Sequence, residues 1–316
     1  MSSLEIRPLA NAGAQVAGID WADPIPDGIA AALYAAWLEY GVLVFPRAGT
    51  SNEVHVRLSR VFGELEIHPL KALQADDFRE LAPFGNETEA AKGGGVLWDG
   101  EHLVGFLYAH QDTAYTTSIC KGSMLRMIRT PGQGGDTIFW DTARAWLDLP
   151  EALKARIEPL STIQMMRVIP PPRLWGKPGS TCAPADFEAY REQLGNYPQE
   201  YPLVLHPMVV THPESGLKTL LLSPQGFVAI DGMDRAEGDE LFEAVVRHAL
   251  RPEYEYRHHW SVDDMVLWDN RRMMHMAAGW PYGQIRFAYR TTLRNGMETG
   301  RPHTLPDGTS TLSVFA

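Results

Sequence analysis

His110-Gln111-Asp112 places an imidazole and a carboxylate two residues apart, and on an extended backbone such residues point to the same side. A third donor, His275, follows Trp268-Asp-Asn-Arg271 in a stretch that reads as strand, turn, strand. Two histidines and one carboxylate can occupy one face of a metal's coordination shell. The opposite positions then stay open, an arrangement that non-haem Fe(II) oxygenases use to admit substrate, cosubstrate and dioxygen. The same donors suit Zn²⁺ in a hydrolase or a non-redox binding barrel. His-x-Asp alone is also a common polar turn, so the donor set leaves these alternatives open.

Arg286 and Arg290 sharpen the choice. They lie 11 and 15 residues beyond His275, inside the alternating run Arg286-Phe-Ala-Tyr-Arg290-Thr-Thr-Leu293. Four residues apart on a strand, they share a face. Arginines turned into a buried interior require anionic partners, and the planar guanidinium fork suits carboxylates. A dicarboxylate such as 2-oxoglutarate would meet that need, whereas a zinc hydrolase has no use for a dicarboxylate clamp. The competing reading is a solvent-facing strand side, with Phe287 and Tyr289 turned inward instead.

The elements that must position these groups are mostly short strands. Met124 to Arg129, Ile163 to Val168, Leu203 to Thr211, Leu217 to Leu222, Tyr254 to His258, Met265 to Trp268 and Arg286 to Leu293 are apolar or alternating runs separated by turn clusters such as Pro131-Gly-Gln-Gly-Gly-Asp136. Near the N-terminus, Ile29, Leu33 and Trp37 recur every fourth residue after a capping Asp27, and Gly41 ends that helix. Val42 to Phe45 follows as a buried strand, and Thr50-x-x-Glu53 opens a second helix as a capping box. Thr142 to Ile157 and Asp234 to Leu250 read as further helices. Many strands with few helices predict a mainly β chain with flanking helices, a jelly roll of cupin-like type, as one domain over residues 1–316. Segments 71–106 and 169–184, rich in glycine and proline, fit no element and are read as lids or surface insertions.

Composition narrows the partners. A net charge of −11 argues against binding nucleic acid or an anionic membrane. No apolar run reaches the roughly 18 residues of a membrane span. The N-terminus reads as having no secretory signal, and Cys120 and Cys182 as two free thiols, which together predict a cytoplasmic protein acting on a small molecule. Met273, Met274 and Met276 around His275 read as core filling rather than metal ligands.

His110-Gln111-Asp112, Gly134-Gly-Asp-Thr137, Trp268-Asp-Asn-Arg271-x-x-x-His275 and Arg286-x-x-x-Arg290 together resemble the taurine / 2,4-dichlorophenoxyacetate dioxygenase family of Fe(II)- and 2-oxoglutarate-dependent enzymes. The match runs in order from about Val42 to Gly296. The resemblance implies a double-stranded β-helix, with His110, Asp112 and His275 as Fe(II) ligands. It implies Arg290 and Thr137 on the distal carboxylate of 2-oxoglutarate, Arg286 near its C1 carboxylate, and His68 and Lys71 toward an anionic substrate. O₂ would be consumed and succinate and CO₂ released as an unactivated C–H is hydroxylated, with C–X cleavage where the hydroxylated carbon bears a leaving group. Asp112 in the ligand set argues against halogenation. The family also implies a homodimer or tetramer. Ala109, Lys71 and the stretch Asn86 to Phe106 depart from taurine-type members. A same-fold oxygenase giving desaturation, epoxidation or oxidative decarboxylation on a natural-product scaffold therefore stands beside the hydroxylase.

Overall fold

A computed structural model describes the chain at all residues except 1–3, 22–23, 68–73, 76, 87–94, 195–197 and 295. Two large sheets dominate. A seven-stranded sheet runs in the order Glu5–Pro8, Ala14–Ala17, Val42–Phe45, Met265–Asp269, Gly122–Arg129, Arg286–Leu293, Ala82–Asn86. A six-stranded sheet runs Cys182–Pro184, Val96–Trp98, Glu101–His110, Met273–Pro281, Thr137–Asp141, Glu255–His258. Consecutive strands Met265–Asp269 and Met273–Pro281 sit in different sheets, so the turn between them crosses the sandwich. The fold is the jelly roll that the strand pattern predicts.

Alternation sorts each strand's side chains between two cores. Val42, Val44, Leu125, Met127, Phe139, Val266, Trp268, Met273 and Ala288 meet between the sheets. Leu43, Phe45, Met124, Met265 and Leu267 turn the other way, against helices Asp27–Tyr40 and Asn52–Arg60. Ile138, Trp140, Met274 and Met276 turn outward from the six-stranded sheet, joining Leu241, Phe242 and Val245 of helix Arg235–Ala249. The result is helix, sheet, sheet, helix, with central strands such as Val42–Phe45 and Met265–Asp269 buried on both faces. His275 shares the parity of Met273, and Arg286 and Arg290 share that of Ala288, so all three face the space between the sheets.

Several local expectations are corrected. The span Thr142 to Ile157 is two helices, Thr142–Leu147 and Glu151–Ile157, because Pro150 cannot continue a helix and starts a new one. The second N-terminal helix is capped by Ser51, which accepts from Val54 N–H, and not by Thr50. Parts of the segments 71–106 and 169–184 are strands, while residues 71–73, 76 and 87–94 lie outside the described residues. Cys182–Pro184 pairs antiparallel with Val96–Trp98, which itself pairs with Glu101–His110. Among the described residues no helix is long and apolar enough to cross a membrane.

One buried ion pair ties the layers together. Arg272 forks onto Asp141, Nε to Oδ1 at 3.0 Å and a terminal nitrogen to Oδ2 at 2.6 Å. Its other terminal nitrogen donates to the carbonyls of Leu38 and Glu39 at the end of helix Asp27–Tyr40. Asp141 also caps helix Thr142–Leu147, accepting from Ala143 and Arg144 N–H. Arg272→Met strands this carboxylate, and the expected loss is about 3–5 kcal/mol of unfolding free energy in urea titration. A loss below about 1 kcal/mol, the range of an exposed pair, would show that the bridge does not hold the layers.

Candidate metal and cosubstrate site

His110, Asp112 and His275 come together: one ligand atom from each lies within 4.8 Å of the others. The Asp112 Oδ1 is 3.5 Å from His110 Nε2 and 3.7 Å from His275 Nε2. Three donors on one face of an octahedron with bonds of about 2.1 Å stand about 3 Å apart, so a small rotation of each side chain closes the set on a cation. Among the described residues it is the one such group of three.

A strand irregularity aims the first histidine. Tyr108 belongs to the outer core, its hydroxyl donating to the Trp175 carbonyl, and plain alternation would send His110 the same way. The pairing with Met273–Pro281 shifts register between His275↔His110 and Ala277↔Leu107. That extra residue is a β-bulge, which re-aims the side chains beyond it, and His110 turns inward to face His275 at a ring separation of 4.2 Å. Asp112 does not sit on the strand, contrary to the alternation argument. The strand ends at His110 and Asp112 lies in the turn after it, followed by Thr113 at φ 60°.

Side chains from distant segments hold that turn. Gln111 donates to the Leu220 carbonyl at 2.9 Å and accepts from Ser223 N–H at 3.0 Å. Asn270 Oδ1 accepts from Asp112 N–H at 2.6 Å, and its Nδ2 donates to the carbonyls of Asp112 and Cys120. Asn270 is fixed in turn by its neighbours. Arg271 forks onto Asp269, and His212 Nε2 lies 2.9 Å from the same carboxylate. Burial would raise the Asp269 carboxyl, but Arg271 and His212 hold it below the usual range. The segment around His212, to which the sequence alone assigns no role, thus supports the Asp112 turn at one remove. Nothing in the chain's order marks Gln111, Asn270 or His212 as partners of groups far away in the chain.

The electrostatics suit a cation. Burial disfavours the charged Asp112, yet Arg290, His275 and His110 outweigh it and hold the carboxyl far below its ordinary value. Burial, then the neighbouring His110, pushes His275 down to about 3, leaving a neutral imidazole with a lone pair to give. The His110 Nδ1 lies 2.8 Å from the Tyr108 carbonyl. Donation there leaves its Nε2 free on the metal side.

The two arginines part company. Arg290 reaches Asp112 Oδ1 at 3.5 Å and lies over the Phe84 ring at 4.6 Å. Arg286 instead donates from Nε to the Gly135 carbonyl at 3.0 Å, between the rings of Trp260 and Trp280. Thr137 lies on the Arg286 side, its hydroxyl bonded to Trp260 Nε1. The placement differs from the one the family motif implied: Arg290 stands by Asp112, and Arg286, not Arg290, lies on the side of Thr137. Of the buried arginines 126, 271, 272 and 286, the first three each have a carboxylate within 4.0 Å. Arg286, 4% exposed, has none among the described residues. Burial pushes its guanidinium down to about 10. The Asp136 charge offsets that burial only in part; a buried cation without a paired anion is costly, and this one, facing the space between the sheets as His275 does, fits a bound carboxylate. His68 and Lys71 lie outside the described residues.

Beside Arg290 opens a cavity of about 1160 Å³, lined among others by Thr113, Tyr115, Ile119, Met166 and Tyr201. Tyr115 and Tyr201 meet edge to face at 5.5 Å. Arg290 thus belongs to both the metal group and the cavity.

Comparison with known proteins agrees with this geometry. The family model described as "Taurine catabolism dioxygenase TauD, TfdA family" matches residues 5–292. An (S)-phenoxypropionate/alpha-ketoglutarate-dioxygenase of Sphingobium herbicidovorans is 31% identical over 92% of this chain and 95% of its own. An alkylsulfatase of Acinetobacter baylyi is 29% identical over 94% of this chain and 87% of its own. The crystal structure of a taurine dioxygenase from Burkholderia xenovorans superposes with a TM-score of 0.68 at 25% identity, covering 98% of this chain and 96% of that one. That of AAD-2 in complex with Mn(II) and N-oxalylglycine gives 0.67 at 25% identity, covering 94% and 99%. A jelly roll that gathers two histidines and an aspartate between its sheets, matched along nearly its whole length, belongs to the taurine catabolism dioxygenase TauD, TfdA family, and the chain is a dioxygenase dependent on 2-oxoglutarate.

Proposed function

We propose that His110, Asp112 and His275 hold Fe(II), and that the chain uses O₂ and 2-oxoglutarate to hydroxylate a small anionic substrate at a carbon bearing an aryloxy or sulfate group. The balance is R–H + 2-oxoglutarate + O₂ giving R–OH, succinate and CO₂. The hydroxylated carbon then expels its oxygen substituent as a phenol or sulfate. Fe(II), when bound, supplies the activation of O₂ and of the substrate C–H; the remaining work falls to the chain. Arg286 and Thr137 take the distal carboxylate of 2-oxoglutarate and set its orientation before reaction. Arg290 meets the carboxylate that arrives beside the metal. The half-open cavity lined by Tyr115, Tyr201, Ile119 and Met166 receives the body of the substrate beside Arg290. Arg286, buried with no carboxylate within 4.0 Å among the described residues and with only the more distant Asp136 to offset its charge, is the observation that carries this reading over a non-redox metal barrel. The phenoxypropionate and alkyl sulfate relatives support the leaving-group class.

Succinate release is the test, measured with Fe(II), 2-oxoglutarate and O₂ over aryloxyalkanoates, alkyl sulfates, sulfonates and amino acids. Substrate-dependent succinate, matched mole for mole by phenol or sulfate, is expected from one of the first two classes. Turnover confined to sulfonates or amino acids would refute the leaving-group assignment. His68→Ala and Lys71→Ala, assayed on the best substrate, test the proposed contact of those residues with its anionic group: a raised substrate KM with the 2-oxoglutarate KM unchanged is expected.

A further inference from the structure

Thr137 is bonded in an informative way. Trp260 Nε1 donates to its Oγ1 at 3.0 Å, and no other side-chain hydrogen bond of Thr137 occurs among the described residues. A hydroxyl has one proton and two lone pairs, whereas an indole N–H can only donate. The bond therefore consumes a lone pair and leaves the threonine proton without an acceptor, on a residue only 6% exposed. The same indole lies under the Arg286 guanidinium at 5.8 Å. The Gly135 carbonyl that anchors Arg286 is two residues before Thr137. Trp260 thus contacts two donors, the Thr137 hydroxyl and the Arg286 guanidinium, on the inner side of the two sheets. The indole is itself held edge-on by His258 at 4.4 Å, whose Nδ1 bonds the Tyr256 hydroxyl at 2.8 Å.

We propose that Trp260 is a positioning residue for the cosubstrate: its N–H occupies the Thr137 oxygen and commits the threonine proton to the distal carboxylate of 2-oxoglutarate. Without the indole donor the hydroxyl is free to rotate and to act as acceptor, which repels a carboxylate. The proposal rests on the assignment of Arg286 and Thr137 made under the proposed function. It separates two keto acids. 2-Oxoglutarate carries the distal carboxylate; 2-oxobutyrate keeps the keto acid and lacks it, so it cannot sense Thr137.

The test is anaerobic calorimetric titration of the Mn(II)-loaded protein with each keto acid. Trp260→Phe should weaken 2-oxoglutarate by about three- to tenfold, the loss of one oriented hydrogen bond, and leave 2-oxobutyrate unchanged. In a Thr137→Val background the same substitution should have no further effect, because the hydroxyl it acts through is gone. Trp260→Leu gives the same comparison if the phenylalanine variant does not fold. Equal weakening toward both keto acids, or an undiminished effect without the Thr137 hydroxyl, would make Trp260 a packing residue only and overturn the proposal. A wild type that binds 2-oxoglutarate no better than 2-oxobutyrate would overturn the cosubstrate assignment itself, and this inference with it.

Discussion

Asp112→Ala is expected to lower succinate release by more than about 100-fold, beyond what losing an outer partner of a metal ligand costs. The substitution removes the one anionic donor of the group and leaves His110, His275 and Arg290 facing each other without a counter-charge. Metal affinity falls with activity, so equilibrium dialysis against Fe(II) or Mn(II) should show the loss directly. Asp112→Asn is the sharper comparison, since it keeps the shape and the backbone contacts to Asn270 and removes only the charge. Unchanged metal binding in both variants would mean that the three donors do not form the site.

Arg286→Met carries the second large effect, and it divides function from stability. Truncating one partner of a buried, hydrogen-bonded charge pair costs about 2–5 kcal/mol, so the KM for 2-oxoglutarate should rise roughly 30- to 4000-fold. The substrate KM should move little. In the absence of 2-oxoglutarate the same variant should be at least as stable as the wild type in urea titration, because it removes a buried cation that has no carboxylate within 4.0 Å among the described residues and whose burial outweighs the more distant Asp136 charge. Arg272→Met is the opposite case, since Arg272 is paired and its loss strands Asp141. A destabilised Arg286→Met with normal 2-oxoglutarate affinity would place Arg286 among the structural arginines and remove the main support for the clamp.

The contrast between these arginines shows what a sequence can and cannot disclose. Ligand types and order are readable because few side chains bind a metal and because strand alternation is local. The inward face of Arg286 and Arg290 is readable for the same reason. Which of the two stands nearer Asp112 is not, since it depends on where the segments of Asp112 and Thr137 lie, and the placement differs from the expected one. The bulge that turns His110 inward leaves no residue signature. The strands inside 71–106 and 169–184 escape notice because their pairing partners are distant: Ala82–Asn86 pairs with Arg286–Leu293, and Val96–Trp98 with Cys182–Pro184.

The bulge between Leu107 and His110 has a bearing on how this chain can change over time. Surface turns tolerate gains and losses of residues, yet here the parity of one strand decides whether an imidazole joins Asp112 and His275 or is driven into packed hydrocarbon around Tyr108. A single-codon deletion at 107–109 would restore regular pleating and turn the imidazole away from Asp112 and His275 without altering any of the three donors, so the length of this short stretch constrains the group as tightly as the identity of the histidine itself.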